Sequence, residues 1–279
     1  MSETFDADWL SLREAADAQA RDRASAEGAA AWLAGREQPL RIVDLGAGAA
    51  NNVAWLAPRL PGPQHWLMVD HDPGLLARAE RRASALADRE GNRITCTTAC
   101  RDLLDSSAAL PADTDLATAS ALFDLVSPRW VESLAERCAV VECAALWTLS
   151  VDGSWHFESA DGRRAETDQD AAMRERLAAH QRRDKGLGPA LGGDAPAAIA
   201  AAFSRRGYSV ATAPSPWRLA PGTELALALL DGWRTALVEQ SPLDEASVDA
   251  WWRARRSAVE RGELGIVVGH VDVWAVPPS

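Results

Sequence analysis

The stretch Leu40-Arg41-Ile42-Val43-Asp44-Leu45-Gly46-Ala47-Gly48-Ala49-Ala50-Asn51-Asn52-Val53-Ala54-Trp55-Leu56 decides the fold. Its first six residues form a short apolar run, Gly46 and Gly48 break that run, and the residues from Asn51 to Pro58 have helical character. The reading is strand, glycine turn, helix. The pattern then recurs. His65 to Asp70 reads as a buried strand ending in an acid, and Pro73 to Arg89 as a helix opened by proline in its first turn. Arg93 to Thr98 and Asp115 to Ser120 supply a third and a fourth strand, Ser127-Pro128 starts a helix running to Arg137, and Cys138 to Ser150 is an apolar fifth strand. Near-continuous apolar strands alternating with helices predict a mostly parallel sheet covered on both faces, a doubly wound α/β domain. A ligand then belongs at the carboxyl ends of the strands.

Outside this core the rhythm changes. Residues 5 to 34 read as one or two helices with Trp9, Leu12, Ala16 and Ala20 on one stripe, and Arg13, Glu14, Asp17 and Arg21 read as a salt-bridged exposed face. Beyond residue 150 come a hairpin at Asp152-Gly153, a helix from Asp168 to Gln181 and a glycine-rich stretch over 185–193. A helix (Ala195 to Arg206), a strand (Gly207 to Ala213), two helices (222–239 and 243–261) and a valine-rich strand (Gly265 to Val276) complete the chain. The expected organisation is one domain: a helical cap over 1–39, an α/β core over 40–150, an inserted segment over 151–193, and a C-terminal part over 194–279. That last part carries a two-helix insertion at about 222–262.

Composition removes several classes of function. The 279 residues are 47% hydrophobic and 25% charged, with a formal net charge of −11. No apolar run approaches the roughly 20 residues of a membrane span, and Met1 to Leu12 carries acids where a signal peptide carries basic residues, so the chain reads as cytoplasmic. Cys96, Cys100, Cys138 and Cys143 lack metal-ligand spacing and read as reduced thiols, with no metal site. An acidic chain without a lysine-rich stretch argues against broad nucleic-acid binding. The 29 basic residues include one lysine, Lys185, inside the glycine-rich stretch.

Glycines at 46 and 48 allow a tight turn and a close approach of ligand to backbone, and Asp44 can orient that loop or accept from a ligand amine. An acid closing the second strand, Asp70, stands where a ribose diol is held, and its spacing suits a dinucleotide or another adenosine cofactor. Ala50 and Asn51 occupy the place of the third glycine of the dinucleotide fingerprint. Asp102-Leu103 offers a carboxylate for an exocyclic amine beside an aliphatic wall for a purine. At these motifs the sequence resembles the class I S-adenosylmethionine-dependent methyltransferases, over roughly residues 40 to 150, and Val267 to Trp274 is similar to that family's final antiparallel strand. The resemblance implies a seven-stranded, mostly parallel, Rossmann-like methyltransferase sheet with helical insertions, and S-adenosyl-L-methionine as cofactor. It implies that Asp44, Gly46, Ala47 and Gly48 lie beside the methionine moiety, Asp70 with His71 at the ribose, Asp102 and Leu103 at the adenine, and Ser120 at the end of the fourth strand.

After the fourth strand the chain reads Ser120-Ala121-Leu122-Phe123-Asp124-Leu125 in place of the Asn/Asp-Pro-Pro-Tyr/Phe motif of many amino-directed members. Adenine or glutamine N-methylation is thereby disfavoured, and a small-molecule acceptor is expected. Methyl transfer from a sulfonium depends mainly on positioning, with a base required only where the acceptor loses a proton. Candidates for catalysis are Asp124 and His180; Phe123, His156, Arg183, Lys185 and, from the first helix, Arg13 are candidates for holding the acceptor. The ordinary alternatives are a helix-entry acid for Asp124, a hairpin residue for His156 and a helix end for His180. Two rival functions stand beside the transferase: an NAD-linked oxidoreductase, and a cofactor-binding scaffold without transfer activity.

Overall fold

A computed structural model describes residues 7–103, 110–184, 188–241 and 244–278. Eight strands form one sheet: β1 (Leu40–Leu45), β2 (Gln64–Asp70), β3 (Thr95–Cys100), β4 (Leu116–Ser120), β5 (Ala144–Ser159), β6 (Ser209–Pro214), β7 (Trp217–Leu219) and β8 (Leu264–Val276). Their order is β3-β2-β1-β4-β5-β8-β6, with β7 paired to β8. The run from β3 to β5 is parallel, and β8 is antiparallel to β5, β6 and β7. From β1 the chain winds outward through β2 to β3, then returns to place β4 on the other side of β1. The cleft at this reversal, over the carboxyl ends of β1 and β4, is where such sheets bind ligands.

Nine helices are described: α1 (Ala7–Ala20), α2 (Arg23–Leu33), α3 (Asn51–Leu56), α4 (Pro73–Ala83), α5 (Pro128–Val141), α6 (Asp168–Gln181), α7 (Ala195–Ser204), α8 (Glu224–Gln240) and α9 (Glu245–Glu260). Alternation along β1 divides the core. Val43 and Leu45 pack with α5 and α7, whereas Leu40 and Ile42 pack with α2, α3 and α4. A third apolar cluster lies beyond the parallel strands, where the long outer halves of β5 and β8 form a ribbon covered by α1, α6, α8 and α9.

Three expectations change. The sheet has eight strands and not seven, because Trp217 and Leu219 are buried on either side of exposed Arg218 and pair with β8. The fifth strand does not begin at Cys138: Trp130, Val131, Leu134, Ala135 and Cys138 form one buried helical stripe of α5, and Glu142, at φ 54°, ends the helix in the left-handed region. An apolar run of that length fits either state, and helical spacing decides it. Asp152-Gly153 does not turn a hairpin either. It bulges out of a single 16-residue strand, with a register shift between Val151 and Trp155 and Gly153 at φ +77°.

Candidate active site

The turn after β1 is built on three left-handed residues, Gly46 (φ +64°), Gly48 (φ +52°) and Ala50 (φ 64°). Glycine carries this conformation without penalty, whereas Ala50 carries it as the N-cap of α3. Asp70 fixes the turn from β2: its Oδ2 accepts from the Gly48 N–H at 2.8 Å and its Oδ1 from the Asp72 N–H at 3.0 Å. His71 Nδ1 lies 3.4 Å from the same Oδ1. The Ala47 N–H donates to the Val69 carbonyl, so the ends of β1 and β2 are tied through the turn.

Asp44 is fully buried one residue before the end of β1. Its Oδ1 accepts from Asn52 Nδ2 at 2.8 Å, and Asn52 Nδ2 also reaches Thr118 Oγ1 on β4 at 3.1 Å. Asp44 Oδ2 and Asn52 Oδ1 are buried without a partner. Burial pushes the Asp44 carboxyl up to about 7, against the opposing pull of Asn52 and Arg21. Such unmet polar atoms are uncommon in folded proteins.

Helix α1 roofs this floor. Leu10 Cδ1 stands 3.3 Å from where a Cβ on Gly48 would lie, and the Leu10 carbonyl accepts from Asn51 Nδ2 at 2.7 Å. Glu14 pairs with Arg82 of α4, which also donates to Asn51 Oδ1. On the inward side Arg13 Nε donates to Asp17 Oδ2 at 2.9 Å, Asp17 Oδ1 accepts from Trp217 Nε1 at 3.0 Å, and Arg21 donates to Ser120 Oγ at 3.0 Å. Asp17 and Arg21 are 2% and 3% exposed, so that part of the expected exposed face is buried, while Glu14 keeps a largely accessible side chain. Each of Arg13, Asp17 and Arg21 follows a residue of the apolar stripe (Leu12, Ala16, Ala20) by one position, and the buried arc of the helix is wide enough to take in both rows.

The joint between α1 and α2 is anchored by Asp272 of β8, whose Oδ2 accepts from the Asp22 N–H while its Oδ1 accepts from the Leu149 N–H and Ser215 Oγ. One turn of the strand away, His270 packs on Trp217 with ring centroids 5.0 Å apart. Its Nδ1 faces the Val268 carbonyl at 3.1 Å, and a carbonyl only accepts, so Nδ1 carries the proton and Nε2 the lone pair. Burial, reinforced by the Arg13 charge, lowers the imidazole to about 4 and keeps it neutral. Asp17, Arg21, Trp217, His270 and Asp272 are the polar groups of this region that sequence reasoning missed. They come from the N-terminal and C-terminal parts of the chain, and their only local signal is the spacing along α1.

Of the sequence-derived residues, Asp44, Gly46, Ala47, Gly48, Asp70, His71 and Ser120 gather at the ends of β1, β2 and β4, with Leu122 packed over Gly46 and Arg13 in the roof. Asp102 is exposed just past β3, and Leu103 is nearly buried, its carbonyl accepting from Trp130 Nε1. Asp124 is half-buried in a 3-10 turn after β4. Phe123 turns away into the core: it is 1% exposed and packs on Trp147 and Trp130, with centroids 4.9 and 5.8 Å away. Its ring has no surface left for an acceptor, because hydrophobic burial against two indoles outweighs a place at the cleft. His156 pairs with Glu158 on the outer half of β5. His180 Nε2 lies 3.0 Å from Glu239 Oε2, and Arg183 donates to the Glu239 carbonyl, so both are engaged by the end of α8. Lys185 lies outside the described residues.

These features define a doubly wound, mostly parallel α/β sheet whose strand ends at β1 and β4 are roofed by α1. No protein-family model and no curated protein sequence matches the chain. Solved structures similar to it include a phosphoethanolamine N-methyltransferase 2 from Haemonchus contortus in complex with phosphomonomethylethanolamine and S-adenosylhomocysteine (14% identity, 91% of this chain and 52% of that one, TM-score 0.39). Two others are the cyclopropane synthase MmaA2 from Mycobacterium tuberculosis (10%, 91% and 83%, TM-score 0.47) and a SAM-dependent methyltransferase from Geobacter sulfurreducens in complex with S-adenosyl-L-homocysteine (17%, 100% and 100%, TM-score 0.43). The chain spans about half the length of the Haemonchus enzyme.

Proposed function

We propose that the protein is an S-adenosylmethionine-dependent methyltransferase acting on a small-molecule acceptor. The observation that carries this reading is Asp70: a carboxylate closing β2, fastened to the glycine turn at the topological switch point, is the arrangement that holds a ribose diol. The cleft fits the rest of the cofactor. Asp44 and Asn52 keep unmet acceptors for an ammonium, Gly46 and Gly48 leave the turn free of side chains, and Asp102 with Leu103 flanks the adenine position. When bound, S-adenosylmethionine supplies an electrophilic methyl on a sulfonium.

The chain's own residues then bind, orient and dehydrate. Leu122 and α1 enclose the region above the turn and exclude water, which strengthens every charge interaction beneath them. Positioning supplies most of the rate in an in-line displacement. Asp124, His180, Arg183 and Lys185 belong to this proposal as acceptor-side groups. Among the described residues no helix is long and apolar enough to cross a membrane. The four free cysteines support a reducing, cytoplasmic setting.

The test is a screen of metabolite pools with methyl-labelled S-adenosylmethionine. Label appearing in a small molecule, and lost with Asp70→Ala, supports the proposal. Donor binding without any transfer would favour a scaffold.

A further inference from the structure

His270 is the only buried histidine among the chain's five, 4% exposed on β8. The strand register fixes its place. Ser120, the last residue of β4, pairs with Thr148, and Val151, three residues farther along β5, pairs with His270. His270 therefore stands roughly 7–10 Å beyond the level at which β4 ends, past the carboxyl ends of the parallel strands. It lies three strands away from β1 and its glycine turn.

The ring is fixed in orientation, because it packs on Trp217 and Nδ1 gives its proton to the Val268 carbonyl. Nε2 is left with its lone pair. It meets no hydrogen-bond partner among the described residues, yet it is not one of the buried atoms sealed without a partner, so it keeps an opening to solvent. The carboxylates facing the ring are already engaged: Asp17 of α1 accepts from Arg13 Nε and Trp217 Nε1, and Asp152 of β5 accepts from the Ser154 N–H. Both pull the imidazole toward its charged form, but burial and the Arg13 charge outweigh them and keep it a neutral base.

We infer that His270 Nε2 is the proton acceptor of the transfer reaction, and that the atom methylated is a hydroxyl oxygen of the acceptor. Resting on the transferase reading, this names the acceptor's chemistry and a residue that serves it away from the glycine turn. The acceptor O–H donates to Nε2. As the oxygen bonds to the methyl carbon, that carbon leaves sulfur, the bonding pair stays on sulfur, and the O–H proton passes to Nε2. The imidazolium then gives the proton to water. A hydroxyl under alkylation is a far stronger acid than an imidazolium, so even an imidazole lowered to about 4 takes its proton. An alkylated amine holds its proton against that base, and a carboxylate brings none to transfer.

The open nitrogen is tested on the full chain with diethyl pyrocarbonate, which acylates accessible unprotonated imidazoles, followed by peptide mapping. Modification of His270 is expected despite its burial; an unmodified His270 would show Nε2 to be sealed and overturn the inference. Metabolite pools are then screened with methyl-labelled S-adenosylmethionine, and NMR of the labelled product identifies the bond formed. A methyl ether is expected, whereas a methyl group on nitrogen, carbon or sulfur, or a methyl ester, would overturn the inference. With the parent of that ether as substrate, His270→Gln keeps a hydrogen-bond acceptor but cannot hold the proton. It should lower kcat roughly a hundredfold or more, with KM and S-adenosylhomocysteine affinity within about threefold of wild type. Wild-type kcat in a folded His270→Gln would overturn the assignment. Because the modification and the bond formed are read on wild-type protein, the inference stays falsifiable even if His270→Gln does not fold. A label on nitrogen leaves the transferase reading standing and removes this inference alone; absence of S-adenosylhomocysteine binding removes both.

Discussion

The Gly48 N–H donates to Asp70 Oδ2 at 2.8 Å, and this bond joins the turn after β1 to the end of β2. Asp70 is 6% exposed, and its other oxygen accepts from the Asp72 N–H. Removing the carboxylate strands two backbone donors in a largely dry site. Asp70→Ala is expected to destabilise the fold by about 1–3 kcal/mol in urea titrations, the usual penalty for an unmet buried group. A loss close to zero would show that the turn holds itself.

The turn's backbone gives a second prediction. Gly48→Ala puts a Cβ at φ +52° and 3.3 Å from Leu10 Cδ1, so it both strains the turn and presses on α1. A loss of about 1 kcal/mol is expected. Ala50→Gly works the other way, because it relieves a left-handed alanine, and should be neutral or slightly stabilising. Thermal melts of both variants check the pair; an Ala50→Gly variant clearly less stable than wild type would contradict it.

Asp44 and His270 give the fold opposite pH dependences. Burial raises Asp44 from 3.8 to about 7, so between those values the folded protein holds a proton that the unfolded chain has released, and stability from this group falls as pH rises. Burial lowers His270 from 6.5 to about 4, so over that window the unfolded chain holds the extra proton and stability rises with pH. The melting temperature of Asp44→Asn relative to wild type should therefore improve as pH rises from about 5 to 8. That of His270→Gln should improve as pH falls from about 7 to 4.5. Curves parallel to wild type would remove both assignments.

The same carboxyl predicts proton release on ligand binding. A ligand ammonium beside Asp44 favours its charged form, so below neutrality S-adenosylhomocysteine should displace a proton. Titrations in two buffers of different ionisation enthalpy count it, and the count should vanish in Asp44→Asn. Equal apparent enthalpies in the two buffers would exclude Asp44 as the site of the ammonium.

Phe123 was legible in sequence as a neighbour of the cleft but not as a core residue, and the two roles predict different losses. Phe123→Ala should cost about 3–5 kcal/mol of stability, and Phe123→Leu should leave ligand affinity within about threefold of wild type. A large affinity loss in Phe123→Leu at normal stability would return it to the site.

The β1 turn and the acids after β2 and β3 were readable because each is local: an apolar run, two glycines, and a carboxylate at a strand end. Periodicity could not separate the end of α5 from β5, since Cys138 to Val141 suits either state until Trp130 and Leu134 join the same stripe. Arg21, Trp217 and Asp272 were hidden for another reason. Their roles exist only after α1 has docked across β4 and β8, and no single segment carries that pattern. His270 was visible in a valine-rich strand, yet only the bond to Val268 and the Trp217 contact show which nitrogen is free.

Calorimetric titration of S-adenosylhomocysteine into wild-type protein and Asp70→Ala, with NAD as the control ligand, tests the central claim most directly. The account predicts saturable S-adenosylhomocysteine binding to the wild type, at least tenfold weaker binding to a folded Asp70→Ala, and no NAD binding. Saturable NAD binding, or S-adenosylhomocysteine binding unaffected by the loss of Asp70, would contradict it.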